Sequence, residues 1–187
     1  MKSLFALMLL TASTALFAGD YYGPGQIDTY DPATGLYFKA VLKNPDNQGL
    51  LGSKAGGGPV TINISVFDPA TGASRHLFNR PVGGFISDIL FETGFKDGSI
   101  EFSGHATGRV KNNTAIEKRE PRTRVLVAVR NPERKETVLL ATDKRAGSLA
   151  PVATVPYASD WHIDVRNSRL RIVHQTGQGI RIESHEW

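Results

Sequence analysis

Histidine and carboxylate side chains alternate along one short stretch of the chain, where acid–base chemistry could be placed. His162 stands between Asp160 and Asp164, and alternate residues of an extended strand point to the same face. An imidazole beside a carboxylate is the starting point of a general base or of a metal site. His162 and Asp164 are therefore the candidate catalytic pair for a small hydrolase or a metal-dependent enzyme.

Two further histidines, His174 and His185, lie in the last predicted hairpin. His174 could join the candidate pair in a cluster. However, a hairpin register that pairs Ile172 with Ile182 would put His174 on the core face and His185 on the opposite face. Ligand spacings such as H-E-x-x-H and C-x-x-C do not occur, nor does a G-x-S-x-G motif. The sequence therefore predicts neither a metal site nor a cofactor, and it favours a non-catalytic protein.

Arginines are concentrated in the C-terminal half, where Arg169, Arg171 and Arg181 fall on predicted strands. A guanidinium on a sheet face can bind a carboxylate or a phosphate through two parallel hydrogen bonds. This predicts an acidic protein or an anionic polymer as partner; the alternative is internal pairing with residues such as Asp164 and Glu183. The net charge of +4 is too small for a nucleic-acid interface, which needs a dense basic stripe.

Aromatic residues suggest a third function, the binding of a cell-wall polymer or other polysaccharide. Trp161 and Trp187, together with Tyr21 and Tyr22, are the side chains that could stack on sugar rings. Trp187 ends a predicted strand, as in outer-membrane barrels, but its same-face neighbours are charged or polar, whereas lipid contact requires apolar residues. The chain is therefore predicted not to be integral to a membrane, and Trp187 is expected to cap the core or to contact a partner.

The elements that would position these residues are organised around a repeated turn. The sequence D-P-A-T-G occurs at residues 31–35 and again at 68–72. Pro presets the backbone at the second turn position, Gly accepts a positive φ, and the Asp side chain can accept a hydrogen bond from the N–H group two residues on. Each copy therefore predicts a tight reversal between two strands.

The segments around these turns alternate in hydropathy as half-buried strands do. The run from Val60 to Phe67 alternates strictly, and Asp97-Gly98 between apolar runs is a strong hairpin signal. Valines at alternate positions predict a strand over 123–130 that turns at 131–135 into a strand over 136–142. In the last hairpin, the register given above would put Leu170, Ile172 and Ile180 on one face.

These signals predict a mainly β protein, an antiparallel meander of hairpins in one domain over residues 19–187. Turns recur at intervals close to those of repeat architectures. We expect a β-sandwich first and a short propeller-like array second, because the intervals are short for four-stranded blades. The charged segment 115–124 contains Pro121 and is predicted to be a solvated loop with at most one helical turn.

The N-terminal segment has the layout of a secretory signal peptide. Lys2 precedes an apolar run from Leu4 to Leu10, and small residues lead to Ala18, after which we expect cleavage; cleavage after Ala15 is the alternative. The chain has no Cys, so packing alone must stabilise it, which suits a bacterial periplasm or medium.

Taken together, the sequence predicts an exported binding protein that engages a macromolecular partner, for example as an inhibitor or immunity-type protein. The Gly-rich segment 44–59 lacks the spacing of a phosphate-binding loop and is predicted to be a surface loop. The predicted binding residues are Arg169, Arg171, Arg181, Trp161 and Trp187.

Overall fold

Strands account for nearly all regular structure in the computed structural model, which describes residues 27–43, 59–145, 147 and 149–187. The predicted signal peptide, Tyr21, Tyr22 and nearly all of the Gly-rich segment lie outside the described residues. One short 3-10 helix spans Thr107–Arg109. The strands are β1 (Asp28–Asp31), β2 (Leu36–Lys43), β3 (Val60–Asp68), β4 (Ala73–His76), β5 (Phe85–Lys96), β6 (Ser99–Gly104), β7 (Val110–Lys111), β8 (Arg124–Asn131), β9 (Glu136–Asp143), β10 (Ala150–Pro156), β11 (Ser159–Asp164), β12 (Arg169–Thr176) and β13 (Gly179–Glu186).

The strands form three sheets. The first sheet has the order β1-β2-β3-β4, the central sheet β10-β9-β8-β5-β6, and the third sheet β13-β12-β11-β7. All pairings are antiparallel except that of β7 with β11. The predicted mainly β, antiparallel architecture is confirmed, and the described strands close neither a barrel nor a propeller.

Both copies of the repeated turn form the predicted hairpins. Gly35 and Gly72 have φ of 76° and 70°, and each donates its N–H to the carbonyl of the Asp that opens its turn at 2.8 Å. The side chains of Asp31 and Asp68 each accept from the N–H two residues on, at 3.2 and 2.9 Å. The same five residues therefore build the same turn twice, at one end of the first sheet.

The turn between β5 and β6 also follows its sequence. Asp97 and Gly98 both have positive φ, 50° and 75°, which is the geometry that an Asp-Gly pair favours in a two-residue hairpin. The strand β8 and its turn into β9 are confirmed as well. The charged segment 115–124 contains no helix, and one of its arginines, Arg119, is not merely solvated, because it pairs with a buried carboxylate described below.

The predicted register of the last hairpin is wrong by one residue. Ile172 lies opposite Glu183, and Ile182 lies opposite Val173. The turn decides this, because Thr176 pairs with Gly179 and leaves only two residues to reverse the chain. A shift of one residue moves every side chain of a strand to the other face. Ile180 and Ile182, predicted for the core, are therefore 70% and 55% exposed.

Two apolar cores lie on the two faces of the central sheet. The first core joins it to the first sheet and contains Val125, Val127 and Val129 of β8. The second core joins it to the third sheet and contains Leu126 and Ala128 of the same strand. Because β8 is covered on both faces, its sequence is almost continuously apolar, as is typical of central strands.

A polar network runs through the buried interior and connects all three sheets. The fully buried Glu92 carboxylate accepts two hydrogen bonds from the Arg119 guanidinium, at 2.5 and 2.8 Å, one from the Arg122 N–H at 2.9 Å, and one from Trp187 Nε1 at 3.1 Å. The main-chain carbonyl of Glu92 accepts a hydrogen bond from the buried Lys144 ammonium, which also lies 2.9 Å from the buried Asp31 carboxylate. Burial alone would raise the pKa of Glu92, but these hydrogen bonds and the Arg119 charge outweigh it and lower the pKa.

The two turn copies give a matched pair of substitutions. Both Asp31→Ala and Asp68→Ala remove the hydrogen bond that the Asp side chain accepts within its turn. Only Asp31→Ala also removes the carboxylate that neutralises buried Lys144, whereas Asp68 is partly exposed. We expect Asp31→Ala to lower the free energy of unfolding by about 3–5 kcal/mol and Asp68→Ala to lower it by about 1 kcal/mol. Urea denaturation followed by circular dichroism measures both values. Equal losses would contradict a stabilising ion pair at Lys144.

Candidate functional site

The predicted catalytic pair lies on the outer face of the third sheet, and its carboxylate is fully engaged. Asp164 is buried and accepts hydrogen bonds from Asn112 Nδ2 at 3.1 Å, Asn167 Nδ2 at 2.8 Å and Arg171 Nε at 2.9 Å. These donors come from β12 and from two loop segments. The carboxylate therefore holds the β11–β12 turn in place, and His162 stands two residues before it on the same face.

Electrostatics at this pair follow from the same contacts. Burial of Asp164 opposes ionisation, but the hydrogen bonds from Asn167, Arg171 and Asn112 outweigh it and lower its pKa from 3.8 to about 2. The pKa of His162 is also lowered, chiefly by burial; nearby Asp164 acts against this and Arg171 adds to it. Asp164 thus acts as a structural anion whose lone pairs already have donors.

His174 and His185 form a cluster with Glu183, and His174 does not join His162 and Asp164 as the sequence suggested. His174 lies opposite Ser159, so it points to the other face of the sheet from His162, and the predicted cluster with the candidate pair does not form. Because the register is shifted, His185 shares the face of His174, and both rings contact Glu183, at 3.4 and 2.7 Å. The expected separation of the two histidines is therefore wrong.

This cluster forms a hydrogen-bond chain across β11, β12 and β13. The Ser159 hydroxyl lies 2.9 Å from Nδ1 of His174, whose Nε2 faces Glu183. The pKa of Glu183 is lowered, chiefly by the hydrogen bond from His185. With Glu183 ionised, each imidazole donates a hydrogen bond from Nε2, and Nδ1 of His174 can then accept a hydrogen bond from the Ser159 hydroxyl. These side-chain hydrogen bonds connect the three strands. Among the described residues, no group of three or more His, Asp or Glu is arranged to hold a metal ion.

The predicted binding residues do not share one surface. Arg171 is held by Asp164 and by Ser184 Oγ at 3.0 Å, which is the internal pairing considered as the alternative. Arg169 lies on the same outer face as Arg171, whereas Arg181 is exposed on the opposite face.

Both predicted tryptophans are buried in the core between the central and third sheets. Trp161 packs there with the Arg109 guanidinium 4.5 Å from its ring. Trp187 donates to Glu92 and lies 6.5 Å from the ring of Phe102. The expectation that Trp187 caps the core agrees with this position. The burial of both indoles removes them from any surface that a partner could contact.

An aromatic row on the open face of the first sheet was not predicted. Tyr30, Tyr37 and Phe67 lie opposite one another on β1, β2 and β3 and are 47%, 45% and 40% exposed. Their ring centroids are 4.8 and 6.4 Å apart, and successive rings are tilted by 47° and 48°. The signal was present in the repeat, because each D-P-A-T-G copy is preceded by an aromatic residue. Asp31 points inward, so the residue before it must point outward.

A polar row borders the aromatic row on the same face. It consists of Asp28, Lys39, Ser65 and His76, one from each strand of the sheet. Lys39 and Asp28 form an exposed ion pair at 3.6 Å. This face of the sheet therefore carries an aromatic row with a parallel polar row beside it.

Comparison with known proteins assigns no family to this fold and site. No family model, no curated protein and no solved structure matches the chain. In the described ranges, no helix has the length and apolar character needed to cross a membrane. The described residues define an antiparallel, mainly β protein that carries an exposed aromatic row.

The structural role assigned to Asp164 predicts a pH dependence. A carboxylate whose pKa falls from 3.8 to about 2 on folding adds stability that is present above about pH 4 and is lost as the pH falls toward 2. Asp164→Asn should therefore be less stable than the natural chain at neutral pH, and the difference should shrink over this window. Urea denaturation at a series of pH values tests this. A difference that stays constant down to the lower end of the window would show that the charge of Asp164 is not what stabilises the turn.

Proposed function

We propose that this chain is a non-catalytic binding protein whose partner is another protein, docked on the open face of the first sheet. The observation that carries the proposal is the aromatic row of Tyr30, Tyr37 and Phe67. Three large side chains in one row across three strands place apolar area in water, and such patches typically mark interaction sites. Tyr and Phe are also enriched in the buried centres of protein interfaces.

The geometry of the row favours protein over polysaccharide. Neighbouring rings are tilted by 47° and 48°, so they form ridges and grooves rather than one flat strip on which successive sugar rings would stack. Side chains of a protein partner can interdigitate with such a surface. The Asp28–Lys39 pair and His76 supply polar groups of both signs at its border.

The polysaccharide hypothesis from the sequence loses two of its four residues, because Trp161 and Trp187 are buried. An anionic partner bound through Arg169, Arg171 and Arg181 would have to use two faces of the third sheet. Polysaccharide binding and binding of an anionic partner through these arginines are therefore alternative outcomes of the experiment below.

We further propose that the three sheets form a sandwich of three layers and that the protein acts outside the cytoplasm. Support for the layers comes from the two cores on opposite faces of the central sheet. Support for export comes from the signal-like segment 1–18 and the absence of Cys. On this proposal the mature protein is periplasmic or secreted from a bacterium, and an inhibitor or immunity-type role is one concrete form of its function.

Affinity capture with matched variants tests the docking face. The natural chain and the triple variant Tyr30→Ala, Tyr37→Ala, Phe67→Ala are immobilised and exposed to the proteins of the producing cells. We expect a stoichiometric protein partner on the natural chain and at least a tenfold loss on the triple variant, since truncated aromatic anchors each contribute about 1–2 kcal/mol to binding.

Tyr157→Ala is the control, because Tyr157 has a similar exposure of 38% but stacks on Arg130 away from the first sheet. Binding should survive this change. A partner that is retained by the triple variant, or lost only with Arg169→Ala, would overturn the proposal. Row-dependent binding to polysaccharide instead of protein would also overturn it.

A further inference from the structure

The free edge of the third sheet differs from every other sheet edge in the described residues. Edge strands in natural proteins are usually short, or carry bulges or prolines that prevent further pairing. The edge strands β1, β4, β6 and β7 have between two and six residues. The remaining one, β10, is interrupted by a bulge and contains Pro151 and Pro156. In contrast, β13 has eight residues in unbroken register with β12 and contains no proline.

The edge strand β13 also carries exposed apolar side chains. Ile180 and Ile182 point to the outer face and are the two most exposed large hydrophobic residues described, at 70% and 55%. Val173 of β12 lies opposite Ile182. A long, regular edge with exposed isoleucines has the features of a strand that pairs with another chain.

The main-chain groups available at this edge can be identified from the hydrogen bonds on the other side. The Trp187 N–H donates to the Ser168 carbonyl, toward β12. Main-chain groups of alternate residues point in opposite directions along a strand. Ile180, Ile182 and Ser184 therefore present their N–H and C=O groups at the free edge.

We propose that β13 pairs with β13 of a second copy of this chain, antiparallel, about a two-fold axis at Ile182. In this register Ile182 lies opposite its own copy, and the two exchange main-chain hydrogen bonds. Arg181 then lies opposite Glu183 of the partner subunit, and by symmetry this ion pair forms twice. Arg181 is exposed. Glu183 contacts His174 and His185 of its own subunit, but its side chain stays 41% exposed, so the carboxylate can still accept from the partner's Arg181.

Charge selects this register over its neighbours. Moving the two-fold axis by one residue in either direction places Arg181 opposite Arg181 or Glu183 opposite Glu183. Like charges directly opposite each other destabilise a strand pair. Only the axis at Ile182 combines opposite charges with apolar contact at the centre.

The resulting dimer is isologous, since the same strand is used by both subunits. It merges two four-stranded sheets into one continuous sheet. The aromatic row lies on a different sheet and stays open. The inference is therefore independent of the proposed partner, and each can fail without the other.

Charge exchange at the edge tests the register directly. Sedimentation equilibrium should show a dimer for the natural chain. Arg181→Glu and Glu183→Arg should each raise the dimer dissociation constant by about tenfold or more, because each places like charges opposite each other at two positions. An equimolar mixture of the two variants should restore the dimer, since every Glu then faces an Arg.

Two lysine substitutions complete the experiment. Ile182→Lys should abolish the dimer, while Leu42→Lys, at another exposed apolar residue, should leave it intact. Circular dichroism confirms that each variant is folded. A natural chain that stays monomeric at all concentrations overturns the inference. So does a dimer that tolerates both single charge changes, or a mixture of the two charge variants that does not associate.

Discussion

The hydrogen bonds to the buried Glu92 carboxylate are the interaction on which the rest of the structure depends. Glu92 sits in β5 of the central sheet, beside a bulge in the β5–β6 pairing. A charge without water is tolerated only when hydrogen bonds replace its hydration, and four donors do so here. They come from the charged segment after β7 and from Trp187 beyond β13. Parts of the chain far apart in sequence are thus held at one point in the interior.

Lys144 extends this constraint to the first sheet. Its ammonium is shared between the Glu92 carbonyl and the Asp31 carboxylate, so the first of the two identical turns is fixed to the central sheet from inside. The second turn is contacted from outside by the neighbouring Arg145, with 3.9 Å between its guanidinium and Asp68. The two turns have one sequence and one backbone geometry, but we expect their contributions to stability to differ, because only Asp31 is buried with its cation. The same inward direction of Asp31 exposes Tyr30 on the opposite face, so the interior ion pair and the proposed docking surface share a cause.

Sequence patterns predicted the local elements well, since turn chemistry and hydropathy alternation act over a few residues. The D-P-A-T-G hairpins, the Asp97-Gly98 turn and the strand β8 with its turn into β9 all follow from such signals. The surroundings of the predicted catalytic and binding residues were not predicted, because they depend on strand registers and on contacts between distant segments. One residue of slip in the β12–β13 hairpin reversed the faces of His185 and Ile182. Asp164 resembled a catalytic carboxylate in the sequence. The neighbouring residues do not indicate that Asn112, 52 positions earlier, donates a hydrogen bond to its carboxylate.

The free energy of unfolding of Glu92→Gln tests this account most directly. The substitution keeps the size of the side chain and removes its charge, and urea denaturation can be followed by tryptophan fluorescence and circular dichroism together. Glu101→Gln, at an exposed residue of the adjacent strand β6, is the matched control. The account predicts a loss of about 3 kcal/mol or more for Glu92→Gln and about 0.5 kcal/mol or less for the control. Equal, small losses for both variants would contradict the central role of Glu92.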